Sequence, residues 1–552
     1  MGVGRGIAER SRWPYPAMVP YSIKMYPIVQ TAAEVGPQPP EAWPPPMRSS
    51  LIDWRNRGQL DGRSLNQIYL HVPFCPFICH FCPLYKVTAN AERTDESKEA
   101  FVEALLREIA AYGRNAVARG QIYDSIYFGG GTPTELTPAQ LARILTALRA
   151  TFRLAPDPEI TLEGVARQML APEYLEPCLE AGFNRVSFGV QSLEERLRKR
   201  IGRGDEIDDY LATARRVKAL RPGAIVNVEI MAGLPEQSLA SLAADVNEIV
   251  SWPVDSADVL YYVPMPGTRL QSFIQLGQRA EPLYGGSMLE MRRLVNASFA
   301  AAGFQQLTGE VFSRSDRDLF TRASYGGGGN CLNTVLALGP SSFGLLGGVA
   351  YHNVASLRKY VADIDQGLFP VRAALPLTGR HARSRAWAFS VMRLHIPDFL
   401  VVTARERRRV RRWSELGLVR RTPGGWDLTA HGRAWYNHMQ TDVLPLAEQV
   451  AAARMFGSSH EQQAIFADPT EDSLNYELHR AITGRNAVVG RLRRLVYRTF
   501  LAAQARRGAG HALTFTGSRA PVRSARRDRA ARRPEAEPVA RRRSAPEQRQ
   551  AP

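Results

Sequence analysis

Six short apolar runs, each rich in β-branched or aromatic residues, recur between about residues 65 and 270. They are Gln67–Val72, Ser125–Phe128, Glu159–Glu163, Arg185–Val190, Ile225–Met231 and Val259–Val263. Helical patterns separate them. In Glu96–Tyr112 the side chains of Phe101, Leu105 and Ile109 share a face, and Gly113 stands where it can stop the helix. Over Pro138–Phe152, Thr137 is placed as N-cap and Pro138 as the first helical residue. Such alternation predicts a parallel sheet with right-handed crossovers. Six units are too few for a closed eight-fold barrel, so the expected fold is α/β with an open, partial (β/α)6 barrel.

A chain of 552 residues exceeds what one core organises, and its composition shifts mark further segments. Residues 1–60 predict a Pro-rich arm, with Pro39-Pro40 and Pro44-Pro45-Pro46. Residues 61–275 hold the barrel, and 276–375 predict an irregular barrel extension containing the run Gly326–Gly329. In 376–455, Leu416–Arg421, Gly424-Gly425 and Trp426–Leu428 read as helix end, strand, turn and strand. That pattern predicts a winged-helix-like α+β accessory domain. Residues 456–504 predict a helical segment, and 505–552 a disordered Arg/Ala/Pro tail.

The chain carries 71 basic and 53 acidic side chains, a net charge of +18, which raises nucleic acid as a partner. Position argues otherwise. Residues 501–552 hold 13 Arg against four acids, half of the whole excess in a tenth of the length. Another cluster, Arg405, Arg407, Arg408, Arg409, Arg411 and Arg412, decorates one short helix. We read it first as a solvated face, and second as a surface for an acidic substrate or partner. Nucleic acid is not the expected partner. No run of about 18 apolar residues predicts a membrane span, and Met1–Arg12 lacks the apolar segment of a secretory signal, so the expected location is cytoplasmic.

Five cysteines are too few for a disulfide scaffold, yet three of them form Cys75-x3-Cys79-x2-Cys82 just after the first predicted strand. Three thiolates on one loop can hold three irons of a [4Fe–4S] cube and leave the fourth iron open to a substrate. Cys178 and Cys331 are distant in sequence and stand as possible fourth ligands. The competing reading is zinc, which usually takes four ligands in C-x2-C pairs, and no second pair exists. Other polar and glycine residues cluster with this loop at the carboxyl ends of the predicted strands. Gly129–Gly131 follow strand two, Glu163 ends strand three, Gln191 follows strand four, Glu229 is late in strand five and Val263 ends strand six. Barrel-like enzymes build their active sites there. The glycines would let backbone approach a ligand closely. For Glu163 and Glu229 the alternative is a structural salt bridge.

The cysteine spacing is the signature of radical S-adenosylmethionine (SAM) enzymes. The segments Tyr69-Leu-His71-Val-Pro-Phe-Cys75, Gly129-Gly-Gly-Thr-Pro-Thr134, Arg185-Val-Ser-Phe-Gly-Val-Gln191-Ser and Gly233-Leu-Pro235 resemble the oxygen-independent coproporphyrinogen III dehydrogenase family. That family also includes a heme chaperone and the class C radical SAM methyltransferases. The resemblance implies a [4Fe–4S] cluster on Cys75, Cys79 and Cys82 and two SAM molecules. It places Tyr69, Gly130 and Glu163 at the first SAM, with Tyr69 and Glu163 as catalytic residues. It places Phe81, Gly131, Thr132, Gln191, Arg203, Glu229 and Val263 at the second. Glu229 replaces an Asp of the family and lies one residue further on. Leu84 stands where the dehydrogenase has a further cysteine, and Tyr325–Asn333 lacks the His and Trp of the chaperone's heme motif. Cys82-Pro-Leu-Tyr-Lys86 looks more like the methyltransferases, so the expectation is class C methylation or cyclopropanation of an sp² carbon in a small-molecule or peptide-bound substrate. The alternatives are a coproporphyrinogen III dehydrogenase-like or heme-metabolising enzyme and a noncatalytic heme chaperone. Each enzyme reading implies an electron donor such as flavodoxin or ferredoxin. Candidates for a general base are His71, Tyr85, Glu310 and Cys331.

Overall fold

The computed structural model describes residues 33–34 and 65–443, apart from 89–92, 263–267, 281, 284, 316, 320, 322–332 and 378. The expected helical segment over 456–504, the tail from 505, Cys331 and Val263 lie outside the described residues. So does the arm, except Ala33 and Glu34 (β1), which pair antiparallel with Ala374 and Ala373.

Six strands run parallel and lie side by side in chain order: β2 (Gln67–Val72), β3 (Ile122–Gly130), β4 (Arg153–Gly164), β5 (Arg185–Gln191), β6 (Ile225–Ala232) and β7 (Ser256–Tyr261). They include the first five apolar runs and Val259–Tyr261 of the sixth. Their centres are buried on both faces, as strands covered by crossover helices should be. Helix α1 (Asp95–Arg114) starts at the Thr94 cap and buries Phe101, Leu105 and Ile109. It runs through Gly113 rather than stopping there. A Cβ at Gly113 would lie 2.5 Å from Thr151 Cγ2, so this glycine serves close packing, not termination. Helix α2 (Pro138–Thr151) opens with a full capping box, Thr137 with Gln140.

The stretch expected to be irregular carries regular structure. It contains α3 (Gly285–Ala301) and six short strands: β8 (Gln305–Gln306), β9 (Val311–Ser313), β10 (Val335–Leu338), β11 (Phe343–Leu346), β12 (Val349–Asn353) and β13 (Val371–Pro376). Between β12 and β13 lies α4 (Leu357–Asp365). Strand β9 pairs antiparallel with β7, and β8 with β9. On the opposite edge β10 lies parallel to β2, followed by β11, β12 and β13 in antiparallel pairing. The barrel sheet thus spans thirteen strands among the described residues.

Beyond it, α5 (Gly379–Met392), β14 (His395–Pro397), α6 (Ala404–Glu415), β15 (Val419–Thr422) and β16 (Gly425–Leu428) form a small unit. Its antiparallel sheet has the order β14-β16-β15. Trp387 and Trp413 pack edge to face between α5 and α6. No helix among the described residues is long and apolar enough to cross a membrane.

Candidate active site

The cysteine loop leaves β2 at Val72 and is tied at both ends. Cys75 N donates to Val87 O at 3.0 Å and Val87 N to Pro73 O at 2.6 Å. Phe74 anchors the base, buried edge-on against Phe101. The Lys86 ammonium closes the far turn, donating to Cys82 O (3.0 Å) and Leu84 O (2.8 Å). Arg93 Nη1 donates to Cys75 O at 2.7 Å. Two donors address sulfur: Thr132 Oγ1 at 3.4 Å from Cys75 Sγ, and Arg203 Nη1 at 3.8 Å from Cys79 Sγ. Burial pushes the Cys75 thiol up to about 12. It raises Cys79 as well, against the pull of Arg203. Without metal these thiols hold their protons at neutral pH; a bound metal removes them.

The glycine segment after β3 packs against this loop. Gly130 has φ +103°, and a Cβ there would lie 2.5 Å from His71 Nδ1. A Cβ at Gly131 would lie 2.6 Å from Phe74 O, and one at Gly129 2.7 Å from Glu163 Oε2. The space a side chain would need is taken by the protein's own loop, histidine and carboxylate. These glycines therefore bring the parts of the site together.

His71 is buried, which holds it neutral, with a pKa lowered to about 4. Its Nε2 lies 2.9 Å from Tyr85 O. A carbonyl can only accept, so Nε2 carries the proton and Nδ1 is the acceptor, 3.4 Å from the Tyr69 hydroxyl.

Two acids face the interior from neighbouring regions of the sheet. Burial lifts Glu163 well above the usual carboxylate range, and the charge of Glu229 lifts it further. Glu229 is raised by burial, while Arg185 and Arg203 pull it back. Ser187 Oγ donates to Glu229 Oε1 at 3.4 Å. Gln191 sits at the end of β5 with φ +65°, where the β5–β6 register slips between Gly189 and Gln191. Its Oε1 is buried with no hydrogen-bond partner. A strained backbone holding an unsatisfied acceptor in a cavity is a feature that a polar ligand would explain. Arg203 is held by the Asp205 carboxylate, by Gly189 O at 2.5 Å and by Tyr210 Oη at 3.3 Å.

A cavity of about 360 Å³ lies at the centre of these groups. Tyr69, Cys75, Cys79, Phe81, Cys82, Gly130, Gly131, Thr132, Glu163, Gln191, Arg203 and Glu229 are brought together there. Of the base candidates, His71 and Glu310 line it, while Tyr85 does not: its hydroxyl accepts from Leu357 N at 2.9 Å. Among the described residues no three His, Cys, Asp or Glu converge on a single metal-ion position. A cube puts each thiolate on a different iron, so a shared cavity, rather than a shared point, is the geometry it needs. Sequence reasoning missed Asp258, Arg385 and an apolar wall of Phe343, Leu345, Ala350 and Leu377. An acid within an otherwise apolar parallel strand was the available signal for Asp258.

Residues 69–249 match the family model of the Radical SAM superfamily, so the chain carries a radical SAM domain. It is related to coproporphyrinogen III oxidase-like proteins. Anaerobilin synthase of Escherichia coli O157:H7 is 28% identical over 395 residues, 70% of this chain and 85% of that protein. Oxygen-independent coproporphyrinogen III oxidase of Pseudomonas aeruginosa is 27% identical over 66% of this chain and 82% of its own. The heme chaperone HemW of Bacillus subtilis is 27% identical over 56% and 78%. The solved structure of coproporphyrinogen III oxidase (HemN) from Escherichia coli has the same fold, with a TM-score of 0.57 at 20% identity over 73% of this chain and 97% of that one.

These relatives overturn the expected class C methyltransferase, since they are coproporphyrinogen III oxidases, an anaerobilin synthase and a heme chaperone. That expectation rested on Cys82-Pro-Leu-Tyr-Lys86. In the structure Lys86 clamps the carbonyls of its own loop. Its presence therefore reports loop geometry, not substrate chemistry.

Proposed function

We propose that the protein is a [4Fe–4S]- and SAM-dependent radical enzyme that acts on a tetrapyrrole. The observation that carries this reading is the convergence of the cysteine loop, Tyr69, Gly130–Thr132, Glu163, Gln191, Arg203 and Glu229 on one cavity at the carboxyl ends of β2–β6. The relatives supply the substrate class.

In this reading Cys75, Cys79 and Cys82 hold the cluster. Tyr69, Gly130 and Glu163 take one SAM, and Phe81, Gly131, Thr132, Gln191, Arg203, Glu229 and Val263 take a second. The electron donor is a flavodoxin or ferredoxin. When bound, cluster and SAM supply a reductively generated organic radical able to take a hydrogen atom. The chain's own groups do the positioning. Thr132 and Arg203 donate toward the cysteine sulfurs, which stabilises thiolate. Burial and the charge of Glu229 raise the proton affinity of Glu163, whose protonated form would offer an O–H to a polar ligand. The Gln191 acceptor suits an ammonium or hydroxyl donor. His71 Nδ1 keeps the Tyr69 hydroxyl oriented. Strands β14–β16 with α5 and α6 form the winged-helix-like accessory domain.

Leu84 lines the cavity where the dehydrogenases carry a further cysteine. This favours, as a second reading, a heme-metabolising reaction over coproporphyrinogen oxidation. The test is anaerobic reconstitution with iron and sulfide, then incubation with reductant, SAM and either coproporphyrinogen or heme. Expected are a cluster spectrum, 5′-deoxyadenosine, and tetrapyrrole conversion, all abolished by Cys79→Ala. Formation of 5′-deoxyadenosine with neither tetrapyrrole converted would overturn the substrate class.

A further inference from the structure

The cavity has a wall that the SAM and cluster residues do not account for. It is formed by Phe343 and Leu345 of β11, Ala350 of β12, and Leu377 just after β13. Leu345 and Ala350 are register partners, and with Leu377, Phe343 and Ala373 they form a small hydrophobic cluster separate from the main core. Strand alternation puts Phe343 on the same side as Leu345, and His352 on the same side as Ala350.

An apolar wall alone would suit many ligands. The orientation of one ring narrows the choice. Phe343 and His352 are partners across β11 and β12, and their rings lie parallel, with 3.8 Å between centroids and 7° between planes. One face of the Phe343 ring is therefore covered by the imidazole. The phenylalanine is half-buried, and what remains of its ring lines the cavity. The imidazole is itself hydrogen-bonded to the Ser341 backbone, and burial lowers its pKa to about 4, which keeps it neutral. Ser341 has φ +59° and donates through N to Val354 O at 2.8 Å, while Asn353 N donates to Ser342 O at 3.0 Å. The strand ends that carry the two rings are thus tied together, and the strained Ser341 lines the same cavity. Beside the stack the side chains are small: Ala350 lies two residues before His352, and Ala373 is its partner on β13. A fixed aromatic ring flanked by alanines leaves room for a broad, flat molecule.

We infer that Phe343, backed by His352, is a stacking platform for a planar, conjugated tetrapyrrole, with Leu345, Ala350 and Leu377 packing against its apolar edge. The inference rests on the tetrapyrrole reading and deepens it, because it selects the oxidation state of the macrocycle. A porphyrin or heme is flat and conjugated, so it can stack on a ring. A porphyrinogen has saturated bridging carbons, is puckered, and offers no such face. Phe343 is then a specificity-determining residue, and His352 a positioning residue that acts through it.

The test is anaerobic binding to the reconstituted full-length protein without SAM, so that nothing turns over. The probes are coproporphyrin, read by fluorescence, and coproporphyrinogen, read by competition against it. They carry the same substituents and differ only in the ring. Wild type is expected to prefer the flat ring by roughly five- to tenfold, the scale of an aromatic stack. Phe343→Leu is expected to lose that preference by weakening the porphyrin alone, and Phe343→Trp to keep it. His352→Leu should lose part of the preference and His352→Phe should restore it. An unchanged cluster spectrum shows that the variants retain the site. If wild type binds both rings equally, or Phe343→Leu keeps the wild-type ratio, the platform fails while the tetrapyrrole reading stands. An unchanged ratio in His352→Leu would overturn the part given to His352. If wild type binds neither ring, the tetrapyrrole reading fails and the platform with it.

Discussion

Buried carboxylates occur in two contrasting settings in this molecule. Glu108, on α1, is fully buried and faces three neighbouring elements. It accepts from Gly339 N at 2.8 Å, Tyr360 Oη at 2.7 Å and Asn353 Nδ2 at 3.2 Å. Glu163 and Glu229 are partly buried and face the cavity, and the charge of Glu229 adds to the burden of Glu163. Burial raises the proton affinity of both kinds. What differs is the partner set. Three donors from the protein surround Glu108, while Glu163 has Tyr127 beside the like charge of Glu229 and the open cavity. The first arrangement joins α1, β12 and α4. The second is costly unless a ligand completes it.

The sharpest way to break this contrast is Glu163→Gln. It removes an acid strained by its neighbour, so the thermal midpoint should hold or rise. Turnover should fall by about 100-fold or more, the scale for losing a positioned acid or ligand contact. A variant that unfolds earlier and stays active would reverse the assignment. Next comes Glu108→Leu, which orphans three buried donors. Unfolding stability should drop by roughly 3 kcal/mol or more, with SAM binding by the folded fraction unchanged. Denaturant titration and calorimetric SAM binding read the two halves separately.

The smallest effect is the pH dependence that Glu108 imposes. Its folded pKa is raised to about 7 by burial, from an ordinary value of 4.5. Between these values the native state binds more protons than the unfolded one, so stability falls as pH rises through this window. The loss between pH 5 and 7 should be roughly 2 kcal/mol. Glu108→Gln should flatten that part of the profile. An identical slope in this variant would assign the pH dependence to another group.

The barrel was legible because its signals are local. Each of β2–β7 is a short apolar run, and helices with their own caps separate them. The site residues followed, since strand ends of a parallel sheet share one side. The extension was not legible for the opposite reason. Strands β10–β13 are four to six residues long, and β10 acquires meaning only by pairing with β2, Val335 against Gln67. No periodicity encodes that partnership. The same non-locality hid Arg385, one arginine among many on a basic stretch. Gly113 misled because a glycine near a helix end reads as a stop, whereas the neighbouring Thr151 is what demands it. Tyr85 misled because it adjoins the cysteine loop in sequence, while its hydroxyl bonds the α4 backbone.

The pairing of β10 with β2 also bears on synthesis. The cysteine loop emerges early from the ribosome, on the strand that begins the barrel. Its native neighbour on the outer edge is made only after the other five parallel strands, and the apolar wall follows up to Leu377. Until then β2 presents a bare hydrogen-bonding edge, the kind of surface that attracts wrong partners. The nascent site is also roofless, open on the side that later meets Phe343 and Arg385. A cluster delivered during this interval would enter without passing the finished cavity, and the closing strands would then seal it in place.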